Sequence, residues 1–242
     1  AWIFATLTNA YGAIPYFNAI GGADDNFTPA YDSQPAIYED LLSQLERAAG
    51  LLAGSGSISG DLIYNGDAER WRKLANSLRL RLLMTANNQL GDAGSRFAAI
   101  VTEGNIMTSN ADNATLTYLE AFPNQFPVVP LKTGDFDAVA LSQTAYEVLT
   151  SAGDPRLMRY ARPDNDDYGA GATFSGAFNG SNSANCPKSG SRLGAQYYND
   201  SEQTTAAELG LPMAEGMIMT YAEVAFLLAE AAVKGWIADD VE

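Results

Sequence analysis

Two glutamates near the end of the sequence are spaced so that they could act together on a glycosidic bond. Glu223 and Glu230 are seven residues apart, which on a helix places them about 10 Å apart along the axis on roughly one face. Inverting glycosidases hold their two carboxyl groups about 6.5–9.5 Å apart. Each glutamate also has a structural interpretation. Glu223 ends a Thr-x-x-Glu capping box that starts at Thr220, and Glu230 lies among alanines and leucines, where we expect a buried carboxylate paired with Arg79 or Arg81.

Histidine is absent from the sequence, and cysteine occurs once, at Cys186. Without histidine the chain lacks the commonest general base, the Ser-His and Cys-His nucleophile pairs, and most kinds of zinc site. Cys186 lies in a segment rich in Ser, Asn and Gly and has no histidine to activate it, so we interpret it as an incidental thiol. With the structural interpretation of the two glutamates, these features predict a protein that is not an enzyme and uses no cofactor.

A run of oxygen-bearing side chains at residues 164–167 is the strongest candidate for metal binding, and Asp24-Asp25-Asn26 is a weaker one. Asp164, Asn165, Asp166 and Asp167 are the ligand types that Ca²⁺ prefers, but the run lacks the spacing of the roughly twelve-residue EF-hand loop. A solvated turn is the favoured interpretation, and we predict no metal site.

The overall charge restricts the classes of partner. Acidic residues outnumber basic ones by 29 to 14, for a net charge of -15. A field of that sign repels phosphate backbones, so nucleic acid is not an expected partner. No stretch approaches the roughly 20 apolar residues that span a bilayer, so we expect membrane association only through a partner or through a lipid attached outside this sequence.

Aromatic residues in a long segment without helical periodicity are the best candidates for ligand binding. A sugar ring presents C–H faces to aromatic rings, while amide and guanidinium groups bind neighbouring hydroxyls. The segment lies between Pro155 and Pro212, a length that favours a functional loop. Its candidate ligand-binding residues are Tyr160, Arg162, Tyr168, Phe174, Phe178, Arg192, Tyr197 and Tyr198. Any one of these aromatic rings could instead pin the loop to its scaffold, and Tyr197 and Tyr198 are the pair to test first.

Helical periodicity predicts the elements that would position these residues. Apolar residues recur at steps of three and four along four segments. The predicted helices are a run ending near residue 9, the segments 37–52, 69–89 and 220–235, and two shorter helices at 96–102 and 142–151. We therefore expect helix pairs with large irregular connections and little or no sheet.

Short motifs between and within these helices occur in a definite order. They are Tyr11-Gly12-Ala13-Ile14-Pro15-Tyr16, Thr28-Pro29-x-Tyr31-Asp32, Asp61-Leu62-Ile63-Tyr64 with Trp71-Arg72-Lys73-Leu74, Asp154-Pro155-Arg156-Leu157, and Thr220-Tyr221-Ala222-Glu223. In this order the five blocks resemble the SusD-like (RagB/SusD) family of outer-membrane nutrient-binding lipoproteins. Ala13 departs from the family, in which an acidic residue is common at that position.

The resemblance implies an all-α fold in which tetratricopeptide-like helix pairs form a scaffold and a large, irregular, loop-rich insertion faces the ligand. On this basis we expect an interior fragment of a single SusD-like domain. The scaffold would comprise residues 1–103 and 213–242, and the ligand-facing region would comprise residues 104–212.

The resemblance also implies a function in polysaccharide utilisation. The protein would bind a nutrient oligomer at the cell surface, a glycan in preference to a peptide, and deliver it to a SusC-like TonB-dependent transporter in the outer membrane. Its own membrane attachment would be a lipid anchor that this sequence does not contain. Two alternatives stay open: a glycoside hydrolase that uses paired carboxylates, and a helical interaction scaffold that binds no small ligand.

Overall fold

The chain folds into two compact units, described here from a computed structural model. Unit 1 comprises residues 1–116 and 217–242, and unit 2 comprises residues 117–216. The residues described are 1–119, 124, 126–127, 139–165, 167–180, 190–197, 208–210 and 214–238. None of the helices in these ranges is both long enough and apolar enough to cross a bilayer. The sequence analysis divided the chain at residues 104 and 213 according to which part faces the ligand. The two compact units do not test that division, so it stays a prediction.

Unit 1 is built mainly from helices. These are α1 (Trp2–Tyr11), α2 (Gln34–Leu52), α3 (Ala68–Thr85), α4 (Ala93–Glu103) and α7 (Tyr221–Val233). The long predicted helices are therefore confirmed, with the end of α3 falling at Thr85 rather than Gln89. Two short strands, β1 (Ala114–Thr117) and β2 (Glu215–Met219), pair in a two-stranded sheet where the chain leaves and re-enters unit 1.

The core of unit 1 forms where α3 packs against α2, α4 and α7. The buried stripe of α2 follows the predicted spacing, with Ile37, Leu41 and Leu45 at four-residue steps. On α3, Leu74 and Leu78 belong to the same cluster. Because positions three and four apart share one face of a helix, these stripes bury apolar surface continuously along both helices.

One aspartate organises the turn that precedes α3. The carboxylate of Asp61 accepts hydrogen bonds from the backbone N–H groups of Ile63, Tyr64 and Gly66, at 2.9–3.1 Å, and from the indole N–H of Trp71 at 2.8 Å. Gly66 has a φ of +91°, and a Cβ there would lie 2.7 Å from a backbone oxygen, so only glycine fits. The Asp-x-x-Tyr-Asn-Gly motif is thus a hydrogen-bonded turn that fixes the start of α3.

The first turn of α7 confirms half of the predicted capping box. The hydroxyl of Thr220 accepts the N–H of Glu223 at 3.4 Å. The Glu223 carboxylate, however, binds Arg81 of α3, with its Oε2 2.6 Å from Nη2 and its Oε1 2.5 Å from Nε. A tertiary ion pair therefore replaces the expected return bond to the cap.

The expectation for Glu230 is wrong. Its side chain is 52% exposed and lies 3.5 Å from Lys234, one turn further along the same helix. The buried positions of α7 are Val224 and Ala231. Since neighbouring residues are about 100° apart around a helix, Glu230 points away from the stripe on which Ala231 lies. The ion pair with an arginine of α3 that was predicted for Glu230 is made by Glu223 instead.

Unit 2 contains less regular structure. The α-helices within its described residues are α5 (Gln143–Ser151), which confirms the predicted segment 142–151, and the four-residue α6 (Leu157–Tyr160). Ser142 caps α5 by accepting the N–H of Ala145 at 3.2 Å. Isolated backbone pairs join the remaining segments, at Ala140 with Arg192, Ser142 with Ala177, and Ala161 with Leu193.

Candidate functional site

The candidate site lies in unit 2, where three segments of irregular chain are joined through their backbones. The N–H of Arg162 donates to the carbonyl of Arg192 at 2.8 Å, and the N–H of Gly194 donates to that of Tyr160 at 3.0 Å. A Cβ at Gly194 would lie 2.1 Å from the Arg159 carbonyl oxygen, so this pairing requires glycine. The pairing brings together three predicted site residues, Tyr160, Arg162 and Arg192.

The segment that carries Phe178 joins the same framework. The N–H of Ala177 donates to the carbonyl of Leu141 at 2.8 Å, and the carbonyl of Ala177 accepts the N–H of Gln143 at 2.7 Å. Phe178 therefore follows a residue whose backbone N–H and carbonyl groups are both hydrogen-bonded. Its side chain is nevertheless 72% exposed, which makes it an aromatic ring that is presented to solvent from a fixed point.

The predicted site residues differ in their exposure. Tyr160, at 40%, and Phe178 are exposed, whereas Arg162 is buried at 8%. The half-buried members are Tyr168, Phe174, Arg192 and Tyr197. Tyr198 lies outside the described residues, as does Cys186. We refer to the exposed rings of Tyr160 and Phe178, with the backbone-linked Arg162 and Arg192, as the aromatic surface of unit 2, whose composition suits a hydroxylated ligand.

Tyr197 belongs to a row of aromatic rings that sequence reasoning missed. Its ring centroid lies 5.2 Å from that of Phe126, which in turn lies 5.4 Å from that of Tyr118 in an edge-on arrangement. Such contacts stabilise a loop by about 0.5–1.5 kcal/mol per pair beyond burial. One available signal was the mixture of aromatic residues with Asn, Thr and Pro along residues 104–135, but no spacing rule connects that segment with Tyr197.

The oxygen-rich run at 164–167 is used within its own loop. The carboxylate of Asp164 accepts the hydroxyl of the buried Ser191 at 2.8 Å. The Asn165 side chain donates to the Gly171 carbonyl at 2.9 Å, and Asp167 accepts the N–H of Gly169 at 2.8 Å. Asp166 lies outside the described residues, and within the described ranges no three His, Cys, Asp or Glu side chains form a group able to hold a metal ion.

The turn between α5 and α6 positions Tyr160, one of the two exposed rings of the aromatic surface. The pKa of Asp154 is lowered, chiefly because its carboxylate accepts hydrogen bonds from the Arg156 guanidinium, with additional bonding from the Arg156 backbone. Arg159 donates to the side chain of the buried Gln196 at 3.2 Å. These contacts orient α6, whose last residue is Tyr160.

The whole chain, residues 1–242, matches the sequence profile of a SusD-like family described as starch-binding and associating with the outer membrane. No significant match was found among curated protein sequences. The chain is similar to the solved structures of several proteins. A nutrient-binding outer membrane protein of Bacteroides vulgatus ATCC 8482 is 34% identical, with 99% of this chain and 54% of that chain covered and a TM-score of 0.80.

A SusD homologue of Bacteroides fragilis NCTC 9343 is 30% identical, with 98% of this chain and 52% of that chain covered and a TM-score of 0.76. A chitin-binding protein is 29% identical, with 98% of this chain and 50% of that chain covered and a TM-score of 0.74. The chain thus spans about half the length of the solved structures it matches. These likenesses confirm the expected all-α, tetratricopeptide-like fold.

Proposed function

Because the chain belongs to the SusD-like family of outer-membrane nutrient-binding proteins, we propose that it captures a neutral glycan at the cell surface through the aromatic surface of unit 2. The bound glycan is then delivered to a SusC-like TonB-dependent transporter. Attachment to the membrane is through a lipid anchor carried by sequence outside residues 1–242. A peptide is the less favoured ligand.

The observation that carries this proposal is the pair of exposed aromatic rings on hydrogen-bonded backbone. Tyr160 and Phe178 each lie at, or one residue from, a backbone pair that fixes the direction in which the side chain leaves the chain. A ring that is already held loses little conformational entropy when a sugar stacks on it, so more of the stacking energy remains as affinity. Flat rings also suit a repeating polymer, which offers C–H faces for stacking at regular intervals.

Charge favours a neutral polymer over an acidic one. The net charge of -15 disfavours glycans that carry carboxylate or sulfate groups. The family description names starch, and a relative that is 29% identical binds chitin. Both polymers are uncharged, and their hydroxyl and acetamido groups bond to guanidinium groups such as that of the exposed Arg159.

The proposed role is binding without catalysis. The pair of glutamates that suggested a glycosidase is engaged in structural contacts, since Glu223 is bound to Arg81 and Glu230 lies beside Lys234.

Titration of the purified protein with maltoheptaose and chitohexaose, with product release followed in parallel, tests this proposal. Phe178→Ala is expected to weaken binding by about 1 kcal/mol, roughly fivefold, because one stacking surface is lost. Phe226→Ala is the matched control, since Phe226 is 77% exposed on unit 1. Equal affinity in wild type and Phe178→Ala would remove Phe178 from the site, and measurable glycan cleavage would contradict the absence of catalysis.

A further inference from the structure

A groove in unit 1, remote in sequence from the aromatic surface, has the composition of a sugar-binding pocket. It lies between the end of α1, the first turn of α2 and the turn that follows α3, and its volume is about 420 Å³. Pockets for small molecules usually measure about 300–1,000 Å³. The groove can therefore hold one or two sugar rings.

Primary amides line this groove at three points: Asn9, Gln34 and Gln89. Two of them are fixed by contacts with the scaffold. The hydroxyl of the buried Tyr38 donates to Oδ1 of Asn9, and Nε2 of Gln34 donates to the carbonyl of Thr8 at 2.7 Å. Each of these two amides has a second polar group, the Nδ2 donor of Asn9 and the Oε1 acceptor of Gln34. A fixed donor and a fixed acceptor suit adjacent hydroxyl groups of a sugar.

The turn after α3 supplies the third amide and an apolar wall. The N–H groups of Gln89 and Leu90 both donate to the carbonyl of Ala86, at 2.8 and 3.0 Å, so the turn is closed by its own backbone. Leu90 and Pro35 line the groove with apolar surface. An apolar wall beside a few fixed polar groups is the usual arrangement of a pocket for a small neutral ligand.

The groove differs from two other cavities of unit 1 in having no charged side chain in its lining. A cavity of about 160 Å³ includes Arg81, and one of about 170 Å³ includes Glu46, Arg79 and Arg96. A charged ligand would enter the amide-lined groove without a counter-ion, at a cost in desolvation. A neutral, hydroxylated ligand exchanges its bonds to water for bonds to amides.

We propose that the groove lined by Asn9, Gln34 and Gln89 binds a single neutral sugar residue, as a second carbohydrate site on unit 1. An extended peptide is disfavoured because its evenly spaced backbone groups need a long groove or a free strand edge. The inference relies on the proposed function only for the class of ligand. Its geometry is independent of the aromatic surface of unit 2.

The test is a titration of ¹⁵N-labelled protein with glucose, N-acetylglucosamine and the corresponding trisaccharides, followed through the side-chain amide signals of Asn9 and Gln89. Asn9→Asp keeps an oxygen for Tyr38 but removes the Nδ2 donor, and we expect about fivefold weaker binding at this groove. Gln89→Phe fills the groove from an exposed position and is expected to abolish binding there. Asn88→Asp, the same chemical change at an exposed position outside the lining, is the control.

Shifts of the Asn9 and Gln89 signals that saturate with a sugar would support the groove if both are kept in Asn88→Asp and the Asn9 shift is lost in Gln89→Phe, which retains only the Asn9 amide as a probe. Unchanged signals with every sugar, or shifts caused by an acetylated alanine tripeptide and not by sugars, would overturn it. Phe178→Ala separates the two proposals. That variant should lose oligosaccharide affinity at unit 2 while the groove signals respond as in wild type.

Discussion

The two units of this protein are stabilised by different kinds of interaction. The buried side chains of unit 1 are large and apolar, among them Phe97, Leu80 and Met107. Among the described residues of unit 2, Leu149 is the one large apolar side chain that is buried, and the rest of the buried set includes four alanines with Arg162, Ser191 and Gln196. Unit 1 therefore draws its stability from side-chain packing, whereas unit 2 depends more on backbone pairs and polar contacts. Such a difference suits a rigid scaffold that carries an irregular surface, which is where binding residues are commonly found in proteins.

The most severe test of this contrast is removal of a core ring from unit 1. Phe97 is fully buried and its ring centroid lies 5.7 Å from that of Trp236. Phe97→Ala should lower the free energy of unfolding by about 3–5 kcal/mol, since it removes apolar contacts and leaves a cavity. Chemical unfolding followed by tryptophan fluorescence measures this effect. A loss under about 1 kcal/mol would mean that packing around Phe97 is not what stabilises unit 1.

The corresponding weak point of unit 2 is a backbone contact. In Gly194→Ala the new methyl group would overlap the Arg159 carbonyl, and we expect a loss of about 1–3 kcal/mol. Hydrogen exchange at the Arg162 amide should accelerate, because the pairing with Arg192 is opened. Gly91→Ala, where a Cβ meets nothing within 4 Å, is the control. Unchanged exchange at Arg162 would show that the backbone pairing tolerates the added methyl.

A smaller effect separates the two glutamates of α7. Glu223→Ala should destabilise unit 1 by about 1 kcal/mol, because the half-exposed ion pair with Arg81 is only partly screened by solvent. Glu230→Ala should change stability by less than about 0.5 kcal/mol, since its partner Lys234 is one turn away on an exposed face. Equal losses in parallel urea titrations would contradict the assignment of the tertiary contact to Glu223.

Acid should weaken unit 1 through Asp61 and Asp112. Burial alone would raise the pKa of Asp61, but donors from Ile63, Gly66, Trp71 and Tyr64 outweigh it, and the pKa is lowered. Burial is likewise outweighed at Asp112 by bonds from Thr108 and Lys73, so its pKa is also lowered. Carboxyls with a depressed pKa in the folded state contribute stability above their unfolded pKa, here 3.8, and lose it as pH falls through the folded value.

The expected result is a free energy of unfolding that declines as the pH falls below about 4, followed through tryptophan fluorescence. The isosteric variant Asp61→Asn should be less stable than wild type at pH 7 and should show a shallower decline. If the free energy of unfolding depended on pH identically in the two proteins, Asp61 would not be ionised in the turn before α3.

The helices of unit 1 could be predicted from the sequence better than the contacts between distant segments. The stripes of α2 and α3 could be predicted because a helix repeats its environment every three to four residues. Glu230 was mispredicted because adjacent positions in a helical sequence do not share a face. The pairing of β1 with β2 was not expected, since about a hundred residues separate the two strands and neither is long enough to show its own alternation.

Less of the candidate site could be predicted. The candidate aromatic residues were chosen because they lie outside helices, and this criterion does not distinguish the exposed Phe178 from Tyr197, which packs on Phe126. Their binding roles remain predictions. The amide-lined groove could not be predicted at all, because Asn9, Gln34 and Gln89 come from three elements and have no sequence spacing in common.

The pairing of β1 with β2 has a consequence for how such proteins diversify. Neighbouring strands lie about 4.8 Å apart, so the chain departs for unit 2 and returns from it at almost the same place. The entropy of closing a loop rises only slowly with its length, by about 0.6 kcal/mol for each doubling. Residues can therefore be added to or removed from the region between the strands with little loss of stability in the helices, so the proposed ligand site can change in length while the scaffold keeps its packing.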